Sequence, residues 1–596
     1  MRAFLAVSAV PGTAAVSSTP HALSYLDGDG DVAVQHSSDG WIASAGREQD
    51  DDIDDPERGF AVRLTRSIRT REGDLSAKAV GAMLGEGNAV DRIGLSGILP
   101  PFGAAHRAGP GLPIVVGVDW VGMRQLFWWQ GAGVAAVSTS ALALAALSGA
   151  SLDSANVGMQ SLLGHQVGTN TLFSGIHKLA EGSIAVLHHG AVSVRRYVEP
   201  TMASEPLPLS DVVGEMAAIL REIHAAYLAD HPRTVLQLTG GQDSRVLLCA
   251  VPPGARSGLN AMTLGVQGAA DVTIAARLSA MCGLDHHVHW LDQQPAVQTA
   301  TAYRMALDAA VALDCMASPL ALAPLVLAES GLDQGHRLSG AGGETARGFY
   351  YPGQPRQETT PNLVSRLAEW RLFINEAVDS DALDPGFAQR AKVNAIDQLN
   401  EQFAGYSREW LRATDEFYLF NRVQRWAGAH GTPAAVRRFF INPMLDRRFI
   451  ELALLTSPEE KRNAHLMGQL MNRLDPRLAS VPLDSGLVPA KLGKPGLVTT
   501  MAVARVTARK AAGKIQQRLG RKSKAQLGAE DLANLVVAHW RAEPNQVDAL
   551  RQNGFINTGW LDELLDGRRS ARAATVAFLV NILVASEVRT TTEVGR

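Results

Sequence analysis

The chain has 596 residues, 46% of them hydrophobic, and a formal net charge of −3. That length exceeds a single hydrophobic core and predicts two or three domains. The near-balanced charge gives no global signal for nucleic acid or an anionic membrane. Cys249, Cys282 and Cys315 are an odd, dispersed set with neither zinc nor disulfide-framework spacing, and are expected as buried small hydrophobes in a reducing cytosol.

Residues 1–205 read as short strands separated by turns. "MRAFLAVSAVPGTAA" carries one Arg and a short apolar run, and is expected as an N-terminal strand rather than a signal peptide. The acidic run Asp50–Asp55, broken only by Ile53, is expected as a solvated loop. "QLFWWQGAGVAAVST" (125–139) and "SIAVLHHGAVSVRRYVEP" (183–200) read as hairpins. "GAGVAAVSTSALALAALSGA" (131–150) is long enough to span a bilayer, but it is mostly Ala, contains Ser and Thr, and lacks flanking basic anchors. A buried strand followed by a small helix is expected there, hence a cytoplasmic protein without a membrane span. "SEPLPLS" (204–210) reads as a linker.

Residues 206–596 have a different texture. "DVVGEMAAILREIHAAYLAD" (211–230) has helical periodicity with a capping Asp or Ser at its start. Then "TVLQL" reads as a strand, "SRVLLCAV" as a helix, "LNAMTLGV" as a strand, 270–284 as a helix ending at Gly283, and "DHHVHWL" as a strand. Alternating strands and helices predict an α/β fold with a doubly wound parallel sheet, followed by a large helical part. The basic segment 504–524, with Arg505, Arg509, Lys510, Lys514, Arg518, Arg521, Lys522 and Lys524 and no acid, is a solvated helix or a docking surface.

The chemistry concentrates in "TVLQLTGGQDSRVLL" (234–248). No Walker string G-x-x-x-x-G-K-[ST] occurs in the chain. "GAGVAA" (131–136), with Asp153 downstream, fits a dinucleotide pattern formally, but it runs into a strand where such a loop must open a helix. In "TGGQDSR", Gly240 and Gly241 allow a sharp turn close to an anion. The helix that follows would point free N–H groups at it, and Thr239 and Ser244 add hydroxyls. Asp243 would repel a bare phosphate, so its use is to hold Mg²⁺ against one. His286, His287 and His289 resemble a zinc cluster but fall within a strand and are expected to be structural.

The [ST]-G-G-x-D-S loop, here Thr239, Gly240, Gly241, Gln242, Asp243 and Ser244, resembles that of the ATP-pyrophosphatase enzymes, which cleave ATP between the α- and β-phosphates. "LSGAGGETARGFYY" (338–351) resembles the S-G-x-G-A-D-E stretch of asparagine synthetases, with Glu344 in place of the second magnesium carboxylate and Gly340 and Gly342 in register. "TLFSGIHKLAEGSIAVLHHGAVSVRRYVEP" (171–200) and "VRRFFINPMLDRRFIELAL" (436–454) extend the likeness, the latter with Pro443, Leu445 and Asp446 in register. The resemblance implies an N-terminal amidotransferase-like sandwich of the N-terminal-nucleophile type at 1–205 and a synthetase domain at 206–596. It also implies ATP and Mg²⁺ as cofactors, with the adenine against Met262, Thr263, Leu264 and Gly265, and the metal on Asp243 and Glu344.

The departures narrow the expectation. Glutamine-dependent relatives carry a cysteine immediately after the initiator Met; here that residue is Arg2, and no cysteine precedes Cys249. Without a thiolate no glutamine hydrolysis is expected, so the amine comes as ammonia or on the substrate itself. Lasso-peptide cyclases and β-lactam synthetases fit that pattern. Ala341 stands where asparagine synthetases have Glu and β-lactam synthetases Tyr, and a small residue suits a bulky substrate. "GGETARG" is more similar to the lasso cyclases. That resemblance implies a precursor peptide as substrate, with a leader-binding protein and a leader peptidase as partners. An ammonia-dependent asparagine synthetase, a small-molecule lactam synthetase and a non-catalytic paralogue are the alternatives. Relatives place a Lys after the P-F-L-D helix; in "VPLDSGLVPAKLGKPG" the candidates are Lys491 and Lys494. Arg347 is a candidate for contact with phosphate or the acceptor carboxylate.

Overall fold

The computed structural model describes residues 3–10, 20–26, 32–37, 39–46, 52–55, 59–85, 93–199, 207–291, 296–329, 335–434, 439–493, 505–506 and 528–593. Arg2, Asp50, Asp51, Lys494, residues 204–206 and all of the basic segment except Arg505 and Val506 lie outside the described residues.

Two six-stranded sheets form the N-terminal part. One runs in the order Ile176–Lys178, Phe127–Gly131, Val134–Ser138, Ala3–Ala9, Gly40–Ala45, Ala33–Ser37. The other runs Ala191–Arg196, Ser183–His188, Ile114–Val118, Gly103–Arg107, Phe60–Leu64, Asp52–Asp55. Neighbouring strands in both are antiparallel. Both expected hairpins are present.

Alternation sends Phe4 and Ala6 into the core between the sheets, with Ile114, Val116 and Leu187 from the other sheet. Leu5 and Val7 face the opposite side, onto the helix Ala141–Ser148. That helix starts at Ser140, whose hydroxyl accepts from the Ala143 amide, and ends at Gly149 in the left-handed region. The helix Ala77–Gly85 covers the outer face of the second sheet. The result is a four-layer sandwich of helix, sheet, sheet and helix.

Two local expectations need correction. The acidic run is not wholly a loop: Asp52–Asp55 forms the edge strand paired with Phe60–Leu64. Carboxylates on an edge strand discourage a further strand from adding there. The long helix after the linker, Leu209–Asp230, begins after Pro208 with no side-chain cap. Ser210 and Asp211 lie inside its first turn, where Asp211 still complements the helix dipole.

The C-terminal part is built on five parallel strands: β1 (Val235–Gln237), β2 (Asn260–Gly265), β3 (Asp285–Trp290), β4 (His336–Leu338) and β5 (Phe439–Ile441). Their order is β3-β2-β1-β4-β5. The chain moves outward from β1 on one side and then crosses back to β4 on the other. The carboxyl ends of β1 and β4 therefore flank a topological switch point, where open α/β sheets bind ligands. Helices Leu209–Asp230 (α1), Gln242–Ala250 (α2) and Ala270–Cys282 (α3) follow the expected order, and Gly283 ends α3 in the left-handed region.

The last helices, Ala529–Ala542 and Ala573–Glu593, bury Trp540, Val576, Leu579 and Leu583 in a core shared with Leu5, Val7 and Trp41 of the first sheet. Among the described residues no helix is long and apolar enough to cross a membrane. All three cysteines are free; Cys249 and Cys315 are buried and Cys282 is half-buried.

Candidate active site

The Gly-rich loop leaves β1 and enters α2, as its sequence requires. Gly241 occupies the N-cap position of α2 and offers no side-chain cap. The first amides of the helix therefore remain for a ligand. The Gly240 N–H donates to Asp271 Oδ1 at 2.9 Å, from the first turn of α3. The Gly241 N–H donates to Thr239 Oγ1 at 3.1 Å. Ser244 Oγ accepts from the Thr239 amide at 3.1 Å and lies 3.1 Å from Thr239 Oγ1. Both hydroxyls thus close the loop on itself, where the sequence reading gave them to phosphate. Arg245, fully buried, braces the turn from behind by donating to the carbonyls of Gly240 (3.4 Å), Pro482 (3.0 Å) and Val481.

The second glycine-rich stretch leaves β4 and lies against the first. A Cβ on Gly340 would come within 3.1 Å of Asp243 Cβ and 3.3 Å of the Ser244 amide. A Cβ on Gly343 would overlap Asp243 Oδ1. Gly342 has φ +98° and packs on Leu445, so it needs both its backbone freedom and its missing side chain. These close approaches carry Glu344 and Arg347, on the 3₁₀ turn Gly343–Arg347, to Asp243 at the start of α2. Arg347 Nη2 is 3.0 Å from Asp243 Oδ2 and 3.3 Å from Glu344 Oε1. One guanidinium nitrogen bridges both predicted metal carboxylates.

Burial and one guanidinium shared by two carboxylates set the electrostatics of this cluster. Burial, reinforced by the Glu344 charge and opposed by Arg347, pushes the Asp243 carboxyl up to about 7. Burial lowers the pKa of Arg347, but the two carboxylates outweigh it and raise it. Asp243 Oδ1 and Arg347 Nε are buried with no hydrogen-bond partner among the described residues. Two carboxylates, one with an orphaned oxygen, fit Mg²⁺, which is commonly held by one or two carboxylates together with substrate phosphates. Groups of three or more His, Cys, Asp or Glu able to hold a metal do not occur among the described residues. A proton on Asp243 would compete with the metal. With a carboxyl that titrates near 7, Mg²⁺ affinity is expected to be about tenfold weaker at pH 6 than at pH 8. Calorimetric titration of the full chain at the two pH values checks this.

The remaining predicted residues fall as follows. Met262 and Thr263 are buried in β2, where Thr263 Oγ1 donates to the Leu238 carbonyl at 2.7 Å and meets His286 Nε2 at 2.8 Å. Leu264 and Gly265 end that strand beside the loop. The three histidines lie on β3. Lys491 is exposed on the short helix Pro489–Leu492, on the segment whose Asp484 amide approaches the Gly240 carbonyl at 3.4 Å.

Three features escaped the sequence reading. Asp271 anchors the loop, and its place in the first turn of α3 was the available signal. Lys461 is fully buried and pairs with Asp415, on the helix Trp410–Phe417 (α4), which also accepts from Tyr351 Oη at 2.6 Å. Tyr351 packs against Gly348, next to Arg347. A ten-residue π-helix, Tyr418–Ala427, continues α4. It buries Tyr418, whose hydroxyl is raised by burial and then by Glu344, and presents Asn421 and Gln424 to the Gly168 amide and the Val121 carbonyl.

Comparisons with known proteins bear on this geometry. No curated protein matches the chain. Among solved structures, the allosteric regulatory enzyme of purine biosynthesis is similar at 10% identity, over 48% of this chain and 80% of that one, with a TM-score of 0.24. The glutamine phosphoribosylpyrophosphate amidotransferase of B. subtilis is similar at 10% identity over the same shares, with a TM-score of 0.23. Neither superposition is close enough to carry an argument. Residues 217–472 match the asparagine synthase family model. The matched stretch contains both glycine-rich loops, β1 to β5 and the Asp243–Glu344 pair.

Proposed function

We propose that the chain is an ATP-dependent, AMP-forming amide ligase that closes a macrolactam in a precursor peptide, as lasso-peptide cyclases do. The observation that carries the reading is the Asp243–Glu344 pair at the switch point, bridged by Arg347. Asp243 and Glu344 would hold Mg²⁺, whose chemistry is to neutralise charge on a pyrophosphate leaving group. The Gly240–Ser244 amides at the start of α2 orient the phosphates, and the end of β2 takes the adenine. An Asp or Glu side chain of the peptide attacks the α-phosphate. The peptide's own α-amine then attacks the acyl-adenylate and AMP leaves. Positioning supplies most of the second step, because amine and acyl group belong to one folded peptide. Lys491 is the candidate to stabilise that second transition state, and Arg347 to contact phosphate or the acceptor carboxylate.

Two sequence features favour a substrate-borne amine. No cysteine stands among residues 1–248, so those residues offer no thiolate for glutamine hydrolysis. Ala341, beside the carboxylate pair, leaves room for a bulky substrate. A leader-binding protein and a leader peptidase of the same pathway are the partners this reading expects. The test supplies ATP, Mg²⁺ and synthetic peptides with a free N-terminal amine and one Asp or Glu at varied distance. A peptide that loses one water with release of AMP is expected. Amidation of free aspartate by ammonium, with every peptide inert, would replace this reading by an ammonia-dependent synthetase.

A further inference from the structure

Several contacts of the N-terminal sandwich converge on one turn of the C-terminal part. That turn, Pro443–Asp446, joins β5 to the helix Arg447–Leu455 (α5). Arg71 forms a two-pronged pair with Asp446: Nε to Oδ2 and Nη2 to Oδ1, each 2.7 Å. Asp446 also caps α5 by accepting from the Phe449 amide at 3.1 Å. Trp120, buried in the sandwich interface, donates its indole N–H to the Leu445 carbonyl at 3.1 Å. Asn442, one residue before the turn, donates to the Pro100 carbonyl at 3.4 Å.

The opposite side of the same turn touches the carboxylate site. Leu445 and the Met444 carbonyl are what a side chain at Gly342 would strike. Met444 Cε lies 3.0 Å from where a Cβ on Gly343 would stand, on the atom position that also overlaps Asp243 Oδ1. Contacts therefore run without a gap from Arg71 and Trp120, through Met444–Asp446, to Gly342–Gly343 and Asp243. Closely packed groups with no free volume transmit position. A site that needs two carboxylates in register depends on such support.

We propose that Arg71 and Trp120 are positioning residues for the Asp243–Glu344 site, and that this brace is a present role of the sandwich. The inference rests on the reading of that pair as the Mg²⁺·ATP site. The test uses the full chain with Mg²⁺ and α,β-methylene-ATP as probe. Arg71→Gln is expected to weaken binding roughly 10- to 100-fold and to speed hydrogen exchange in residues 339–348. Exchange in β1 and β2 should stay as in the native chain. Arg71→Lys should recover part of the affinity. Asp446→Asn, which keeps a good cap but drops the charge, should reproduce the loss. If Arg71→Gln and Asp446→Asn bind like the native chain while Asp243→Asn does not, the brace is wrong and the site stands. If Asp243→Asn also binds like the native chain, the site assignment fails and the brace falls with it.

Discussion

Asp243→Asn is expected to lower kcat/KM for ATP-dependent ligation by roughly 10²- to 10³-fold, while the ligand-free protein becomes more stable. The loss follows from removing one of the two carboxylates that face each other at the switch point. The gain follows from the cost of keeping Asp243 ionised. Its carboxyl is held near 7 in the fold, against about 3.9 in an unfolded chain. The native state therefore binds the proton more tightly. The penalty is absent below about pH 4, builds as the pH rises to about 7, and is fully present above that. Replacing the carboxylate by an amide should relieve up to roughly 4 kcal/mol at pH 8 and almost nothing at pH 4. Urea unfolding of the ligand-free native and variant chains at both pH values measures the difference. Mg²⁺ with nucleotide should stabilise the native chain and leave the variant unchanged. Burial of the carboxylate supplies most of the cost of ionising Asp243 and the Glu344 charge adds to it. Equal stability at pH 8 would mean that the two carboxylates do not strain the fold.

Lys461→Met is expected to cost about 3–5 kcal/mol. Lys461 and Asp415 are both buried, at 0% and 2% side-chain exposure, and Tyr351 adds its hydroxyl to the same carboxylate. Burial raises the Asp415 carboxyl, and Lys461 opposes that. Removing the ammonium leaves an uncompensated charge in the core. Adding Asp415→Asn should recover much of the loss, because the amide oxygen still accepts from Tyr351 and no charge remains. The single variant should also weaken nucleotide binding, since Tyr351 packs on Gly348 beside Arg347. Denaturant midpoints of the single and double variants decide between a buried charge pair and simple loss of packing volume. In the latter case the second substitution would add to the damage.

These two sites differ in how far the sequence revealed them. Asp243 was legible because strand, glycine turn and helix stand in a row, and each piece has a local signature. Glu344 was reached only through the resemblance of its glycine-rich stretch to that of asparagine synthetases. The strands β1 to β3 were legible for the same reason, as apolar runs alternating with helical periodicity. β1, β4 and β5 have three residues each, too few to show a period; β1 is marked by the glycine turn and helix that follow it, whereas β4 and β5 rely on neighbours that already supply their hydrogen bonds. Arg347 was legible as a candidate, but its seat between two carboxylates depends on the close approach at Gly340 and Gly343. Ser244 was assigned to phosphate, yet its hydroxyl is used within the loop. The Lys461–Asp415–Tyr351 group joins residues 46 and 64 positions apart, and "PEEKRN" reads like an exposed charged turn. The Arg71–Asp446 pair spans 375 positions. Nothing local announces either one.

Under the proposed function, the Asp243–Glu344 site drives transfer of AMP to a side-chain carboxylate. It is tested most directly with a cyclisable peptide labelled with ¹⁸O in its single Asp or Glu carboxylate, incubated with ATP, Mg²⁺ and the full chain. AMP carrying one ¹⁸O, unlabelled pyrophosphate and a peptide lighter by one labelled water are expected. Formation of ADP and ¹⁸O-labelled inorganic phosphate would contradict it.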